Sequence, residues 1–288
     1  MSVPLQGAAG SQSCPPDWLA LREPADSDAR STALAEALSD ALPPGPLLVR
    51  DLGCGTGSMA RWLAPRLAAP PGDRPGRPDQ PSRPDQHWML HDRDADLLRH
   101  AVAGLPDGVT GAAAPGDLTA LDAAALAGTS LVTASALLDM LTAEEIDRLA
   151  EACTRAGVPA LLTLSVSGRV CFDPPDPLDG EFAAAFDDHQ RRETGGRRLL
   201  GPDAATVAAE ALRRRGALVR TADAPWRLGP DRPDLLREWL AGWLDAACAQ
   251  RPELHAAAGP YRDRRHREIA AGALAVTVGH TDLLALPG

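Results

Sequence analysis

Long apolar runs, cysteine pairs and surplus positive charge are all missing from this chain, and each absence removes a class of function. No apolar segment approaches the roughly 20 residues that a helix needs to cross a bilayer. The opening stretch MSVPLQGAAGSQSCPPDW has neither a basic leader nor an apolar one, so no export signal is expected. The five cysteines (14, 54, 153, 171 and 248) are odd in number and form no C-x-x-C pair. Free thiols in a reducing cytoplasm fit that usage better than a disulfide framework. Lys and Arg number 29 against 39 Asp and Glu, a formal charge of −10, which is the reverse of a nucleic-acid binder's footprint. Tyrosine and phenylalanine are scarce, while alanine, arginine and proline abound, a balance that reads as a GC-rich gene rather than as function. What is present is 288 residues, enough for one large α/β domain or two small ones with a sizeable core.

Short apolar runs alternate with helical stretches. The strand candidates are LLVRDL (47–52), HWMLHD (87–92), VTGAAA (109–114), SLVTAS (130–135), ALLTLSV (160–166), ALVRTAD (217–223) and ALAVTV (273–278). Most are apolar throughout, as befits a sheet covered on both faces, and the intervening helices give the βαβ signature of a doubly wound parallel sheet. A helical N-terminal cap is expected from Trp18 to about Leu42, capped at Asp26 or Ser27 and stopped by PPGP. In LTAEEIDRLAEACTRAG, Thr142 stands three residues before Glu145 in a capping box, and Gly157 supplies the stop. Leu236, Trp239, Leu240, Trp243 and Ala247 form one stripe of a helical insertion near the C-terminus. Residues 69–86, APPGDRPGRPDQPSRPDQ with its neighbours, are too rich in proline and charge to build a core and are expected to be a surface insertion.

The most informative stretch is LLVRDLGCGTGSMARWL, residues 47–63, where an apolar strand ends in Asp51 and turns through Gly53, Gly55 and Gly57 into a helix. Glycines let the backbone approach a ligand, and free amides at a helix start favour a negative group. A dinucleotide fingerprint spaces its glycines G-x-G-x-x-G. Here they run G-x-G-x-G, and Asp51-Leu52-Gly53-Cys54-Gly55-Thr56-Gly57 resembles the first motif of the class I S-adenosylmethionine-dependent methyltransferases.

The motif's companions follow in order. Asp92, with Arg93 beside it, ends the second strand, where the resemblance implies an acid on the donor's ribose hydroxyls. Deleting the proline-rich insertion restores the usual roughly 20-residue distance. Asp117 and Leu118 in PGDLTALD match the acid and neighbour that face the adenine. LVTASALLDML resembles the fourth-strand stretch lining the methyl donor, with Ser135, Leu138 and Asp139 falling there. Asp51 is placed to take the donor's ammonium, directly or through water, and the helix amides its carboxylate. Cys54 reads as a small residue packed under the turn, and Arg22, in the N-terminal cap, as a lid over the donor. The resemblance spans residues 45–168.

On the acceptor side, AAFDDHQRRETGGRRLLGPDA offers His189 as a general base of near-neutral pKa and Arg191 and Arg192 as partners of an acidic acceptor. Asp139 is a second catalytic candidate. HQRR and the closing GH-x-D-LLA (279–285) are similar to a group of actinobacterial methyltransferases. FDPPDP (172–177) lacks the aromatic of the amino-group methyltransferase motif and follows the wrong strand, so a stiff loop is expected, with Asp173, Asp176 and Asp179 solvated. YRDRRHRE (261–268) reads as a solvated helix face.

The expectation is therefore one α/β domain, Rossmann-like, with a mostly parallel seven-stranded sheet whose family order is 3-2-1-4-5-7-6. Residues 1–44 form the tail and cap, 45–168 the S-adenosylmethionine core, and 169–288 the acceptor-side helices and last strands. The function implied is methyl transfer from S-adenosylmethionine, leaving S-adenosylhomocysteine, to a small molecule in the cytoplasm. Oxygen, nitrogen and carbon acceptors are equally compatible. No metal, nucleic acid or membrane partner is called for, and nothing in the sequence sets an oligomeric state. Two alternatives are a catalytically silent donor-binding partner subunit and an NAD-dependent oxidoreductase.

Overall fold

The computed structural model describes residues 14–68, 85–116 and 122–288. Residues 69–84 of the proline-rich insertion, and Asp117 with Leu118, lie outside the described residues. In chain order the elements begin α1 (Pro16–Ala29), α2 (Thr32–Ala41), β1 (Leu47–Leu52), α3 (Ser58–Ala68), β2 (Gln86–Asp92), α4 (Ala95–Ala103), β3 (Val109–Pro115) and β4 (Leu131–Ser135). After a 3-10 turn at Leu138–Met140 come α5 (Ala143–Ala156), β5 (Ala160–Asp173), α6 (Asp179–Gln190) and a small hairpin of β6 (Glu193–Thr194) with β7 (Arg197–Arg198). The chain closes with α7 (Ala204–Arg214), β8 (Leu218–Asp223), β9 (Trp226–Leu228), α8 (Pro233–Gln250), α9 (His255–Ala270) and β10 (Ala275–Leu286).

The main sheet runs β3-β2-β1-β4-β5-β10-β8. With β8 and β10 as sixth and seventh strands, this is the expected order. All pairs from β3 to β5 are parallel, and β10 is antiparallel to both β5 and β8. Period-2 alternation feeds both faces. Leu161 and Leu284 join the core under α2, α3 and α4, whereas Leu162 and Leu283 join the core under α5 and α7.

Four expectations change. The sheet has eight strands rather than seven, because the short β9 pairs with β10 beyond β8. β5 and β10 are far longer than their apolar runs and hold one another in an antiparallel ladder from Ala160–Ala285 to Asp173–Ala275. The N-terminal cap is two helices, broken at Arg30; Ser31 caps the second by accepting from the Leu34 amide at 3.3 Å, while Asp26 is buried in the first. Gln86 belongs to β2 and is buried, so the insertion ends before it. The α5 capping box and its left-handed Gly157 stand as read. So does the α8 stripe: Leu236, Trp239, Leu240, Trp243 and Ala247 are all buried.

The long strand ends carry a third core beyond the sheet, built with α1, α6, α8 and α9. Eight of the chain's ten Trp, Tyr and Phe side chains gather there, so a scarce residue class is spent on one module. Here the acids and arginines expected in solvent are engaged. Asp179 Oδ1 accepts from the Tyr261 hydroxyl and from Arg265 Nη2, each at 2.6 Å, and Asp176 Oδ2 accepts from Arg264 at 2.8 Å. Arg265, in the supposed solvated face, is 1% exposed and lies over the Phe172 and Tyr261 rings. A buried guanidinium needs such partners, which is why α9 turns these charges inward. No helix among the described residues is long and apolar enough to cross a membrane.

Candidate functional site

Strand order reverses at β1, whose neighbours β2 and β4 lead the chain in opposite directions. In an open α/β sheet that switch point leaves a crevice at the carboxyl ends of the strands. Asp51, Asp92 and Ser135 stand at the ends of β1, β2 and β4 respectively, beside one another.

The turn after β1 requires its glycines. Gly53, Gly55 and Gly57 adopt φ of 63°, 54° and 85°, a region that side chains rarely enter. Gly57 has a packing reason besides: a Cβ there would come 3.1 Å from the Ala101 backbone of α4. At Gly55 a Cβ would meet Leu19 of α1 at 3.3 Å, so the N-terminal cap lies directly on the turn. The turn is tied to β2 twice. Cys54 N–H donates to the His91 carbonyl at 2.9 Å, and Gly55 N–H donates to Asp92 Oδ2 at 3.0 Å. The other Asp92 oxygen accepts from the Asp94 amide at 3.0 Å. Cys54 is buried, and burial pushes its thiol up, so it packs rather than reacts. Arg93 is exposed next to Asp92.

Asp51 is 1% exposed. Its Oδ1 accepts from the Thr133 hydroxyl at 2.8 Å, and its Oδ2 has no hydrogen-bond partner. Burial moves its pKa from 3.8 to about 7, against the opposing pull of Thr133 and Arg30. An unpartnered buried carboxylate oxygen at a strand end fits a cationic group. Arg30, which no motif in the sequence marks, donates through Nη2 to Ser58 Oγ and Ser135 Oγ, both at 3.0 Å. Arg30, rather than Arg22, makes these bonds to the start of α3 and the end of β4. Arg22 itself grips Asp26 in a two-pronged pair at 3.0 and 3.1 Å, over the Trp226 ring. Asp26 also accepts from Trp226 Nε1 at 3.0 Å.

Asp139 is buried on the turn after β4, in the fields of Arg22 and Arg192, and burial raises it to about 6. His189, near the end of α6, is half-buried. Burial first, and then Arg192, lower its pKa to about 4, which corrects the near-neutral base expected from sequence. Arg191 is held by Asp203 at 2.7 and 2.9 Å, so it is not a free cation for an acceptor. Arg192 donates to the His189 carbonyl at 3.0 Å and lies in the field of Asp139. The structure therefore brings Asp51, Gly53, Cys54, Gly55, Gly57, Asp92 and Ser135 together, adds Arg30, and sets Asp139, His189 and Arg192 on the α6 side.

Because native Asp51 keeps its proton up to about pH 7 rather than 3.8, ionising it costs native stability progressively as pH rises between those values. Asp51→Asn is expected to melt above the wild type at pH 8 and to lose that advantage progressively as pH falls towards 3.8, as scanning calorimetry would record. A difference that does not change with pH would contradict this environment for Asp51.

No family model matches the sequence, and no curated protein matches it. Among solved structures, loganic acid methyltransferase with SAH is similar over 99% of each chain at 11% identity, with a TM-score of 0.51. The mycolic acid cyclopropane synthase CmaA1 complexed with SAH and CTAB is 15% identical over 87% of this chain and 83% of its own, at a TM-score of 0.46. The cyclopropane synthase MmaA2 from Mycobacterium tuberculosis is 13% identical over 88% and 83%, at 0.44. At such identities the likeness is one of architecture: the chain has the Rossmann-like fold in which methyltransferases are built.

Proposed function

We propose that this chain is an S-adenosylmethionine-dependent methyltransferase acting on a small-molecule acceptor, of the actinobacterial type and cytoplasmic. The observation that carries the reading is the meeting, at the switch point, of a G-x-G-x-G turn with the acid of the second strand, Gly55 N–H to Asp92 Oδ2 at 3.0 Å. Free cysteines throughout fit a reducing compartment.

When bound, the donor supplies a methyl group on a positively charged sulfur. The chain's own residues would hold and orient it. Asp92 would take the ribose hydroxyls, with Arg93 beside it, and Asp117 and Leu118 the adenine edge. Asp51 would meet the ammonium through Oδ2, and Ser135 would close the methionine side. α1, pressed on Gly55 through Leu19, would exclude water from the turn. Methyl transfer needs an in-line approach of the acceptor, so orientation and exclusion of water supply most of the acceleration.

Where the acceptor must lose a proton, Asp139 is the better-matched base, since a pKa of about 6 lies nearer neutral pH than the value of about 4 at His189. His189, neutral at pH 7, is then an orienting group, and Arg192 a counter-charge for an acidic acceptor.

Two outcomes are expected. Asp92→Ala, folded by circular dichroism, should bind S-adenosylhomocysteine at least about tenfold more weakly than a micromolar-range wild type in calorimetry; unchanged binding would remove Asp92 from the donor site. With an acceptor in hand, the rate should rise with pH through about 6, as burial sets Asp139. In Asp139→Asn it should fall about 100-fold while donor affinity holds. Retention of that rate would leave proximity alone as the mechanism.

A further inference from the structure

Arg30 has hydrogen-bonding capacity that the protein itself does not use. It occupies the joint between α1 and α2 and is only 2% exposed. Nη2 is committed to Ser58 at the start of α3 and to Ser135 at the end of β4. Nε and Nη1 have no acceptor, and the Trp62 ring, 5.6 Å from Cζ, offers only its π face. The acids in its field are engaged elsewhere. Asp26 is taken by Arg22 and Trp226, and Asp282 accepts the Ser31 and Leu164 amides, each at 2.7 Å. Asp51 gives one oxygen to Thr133 and leaves the other unpartnered.

A buried guanidinium and a buried carboxyl group thus border the ends of β1 and β4, each with unused capacity and neither hydrogen-bonded to the other. Buried groups of this kind ordinarily find partners. A zwitterion satisfies both at once: its carboxylate suits the guanidinium, and its ammonium suits the carboxylate. The other cation of this region, Arg22, already has a two-pronged partner. Helix amides carry only partial charge, so a guanidinium is the stronger counter-ion for a carboxylate.

We propose, resting on the donor reading above, that Arg30 receives the carboxylate of the donor's amino-acid end while the open oxygen of Asp51 receives its ammonium. The joint between the two cap helices is then part of the binding site, and the cap is not merely a cover.

The test compares two ligands by calorimetry: S-adenosylhomocysteine and its decarboxylated analogue, S-adenosyl-3-thiopropylamine. The wild type is expected to prefer S-adenosylhomocysteine by at least about tenfold, on the strength of charge-assisted hydrogen bonds. In Arg30→Gln that preference should shrink to under about threefold, with the decarboxylated ligand bound as before. Arg30→Lys, which keeps a cation but cannot span both serines and a ligand, should also lose at least about threefold of the preference, and it decides the matter if the glutamine variant does not fold. A wild type indifferent to the carboxylate overturns the proposal without any variant. So does a variant that weakens both ligands equally, which is what a purely structural Arg30 would do. A wild type that binds neither ligand overturns the donor reading itself.

Discussion

The reversal of strand order at β1 governs the rest of this molecule. A chain that leaves β1 towards β2 and later returns to β4 opens a crevice at the ends of both strands, and the backbone there must turn at once into a helix. Three residues with positive φ achieve that turn, and only glycine adopts those angles at little cost. The contact of Gly55 N–H with Asp92 then fixes the turn against the next strand. Each later feature of the site takes its position from this corner.

Above the corner sits α1, and its attachments hold it there. Glu23 receives both prongs of Arg61 at 2.7 and 2.6 Å, Trp62 Nε1 donates to the Ser27 carbonyl at 3.1 Å, and Asp26 joins Arg22 to Trp226. The helix is thereby stitched to α3 on one side and to β9 on the other. The joint that follows presents Arg30 to the crevice. Buried acids accumulate around it: Asp51, Asp139 and Asp282 are all raised by burial, to about 7, 6 and 6. A cluster so poor in water gives full weight to any charge that a ligand brings.

What could be read in the sequence was local. The glycine turn, the Thr142–Glu145 capping box, the apolar stripe of α8 and the alternation of strands with helices each lie within a short window, and each stands in the structure. What escaped depended on distant partners. SGRVCFD after Val166 is not an apolar run, yet β10 extends the strand through it by pairing with Val170–Asp173 beyond an irregularity at residues 167–169. Arg265 looked like a solvated charge because its partner Asp179 lies 86 residues away. Arg30 and Ser31 fell inside the stretch expected to be helical, after a cap expected at Asp26 or Ser27; the bonds at the actual break run to Ser135 and Asp282, more than 100 residues further on. The near-neutral pKa expected of His189 failed for the same reason, since burial cannot be seen in a residue's neighbours along the chain.

The proposed methyl donor and a dinucleotide compete as occupants of the turn, and a dinucleotide fingerprint spaces its glycines differently. Titration calorimetry of the full chain with S-adenosylhomocysteine and, separately, with NAD distinguishes them most directly. One equivalent of S-adenosylhomocysteine is expected to bind in the micromolar range, and NAD to give no saturable heat. Saturable binding of NAD, with S-adenosylhomocysteine inert, would contradict the donor reading.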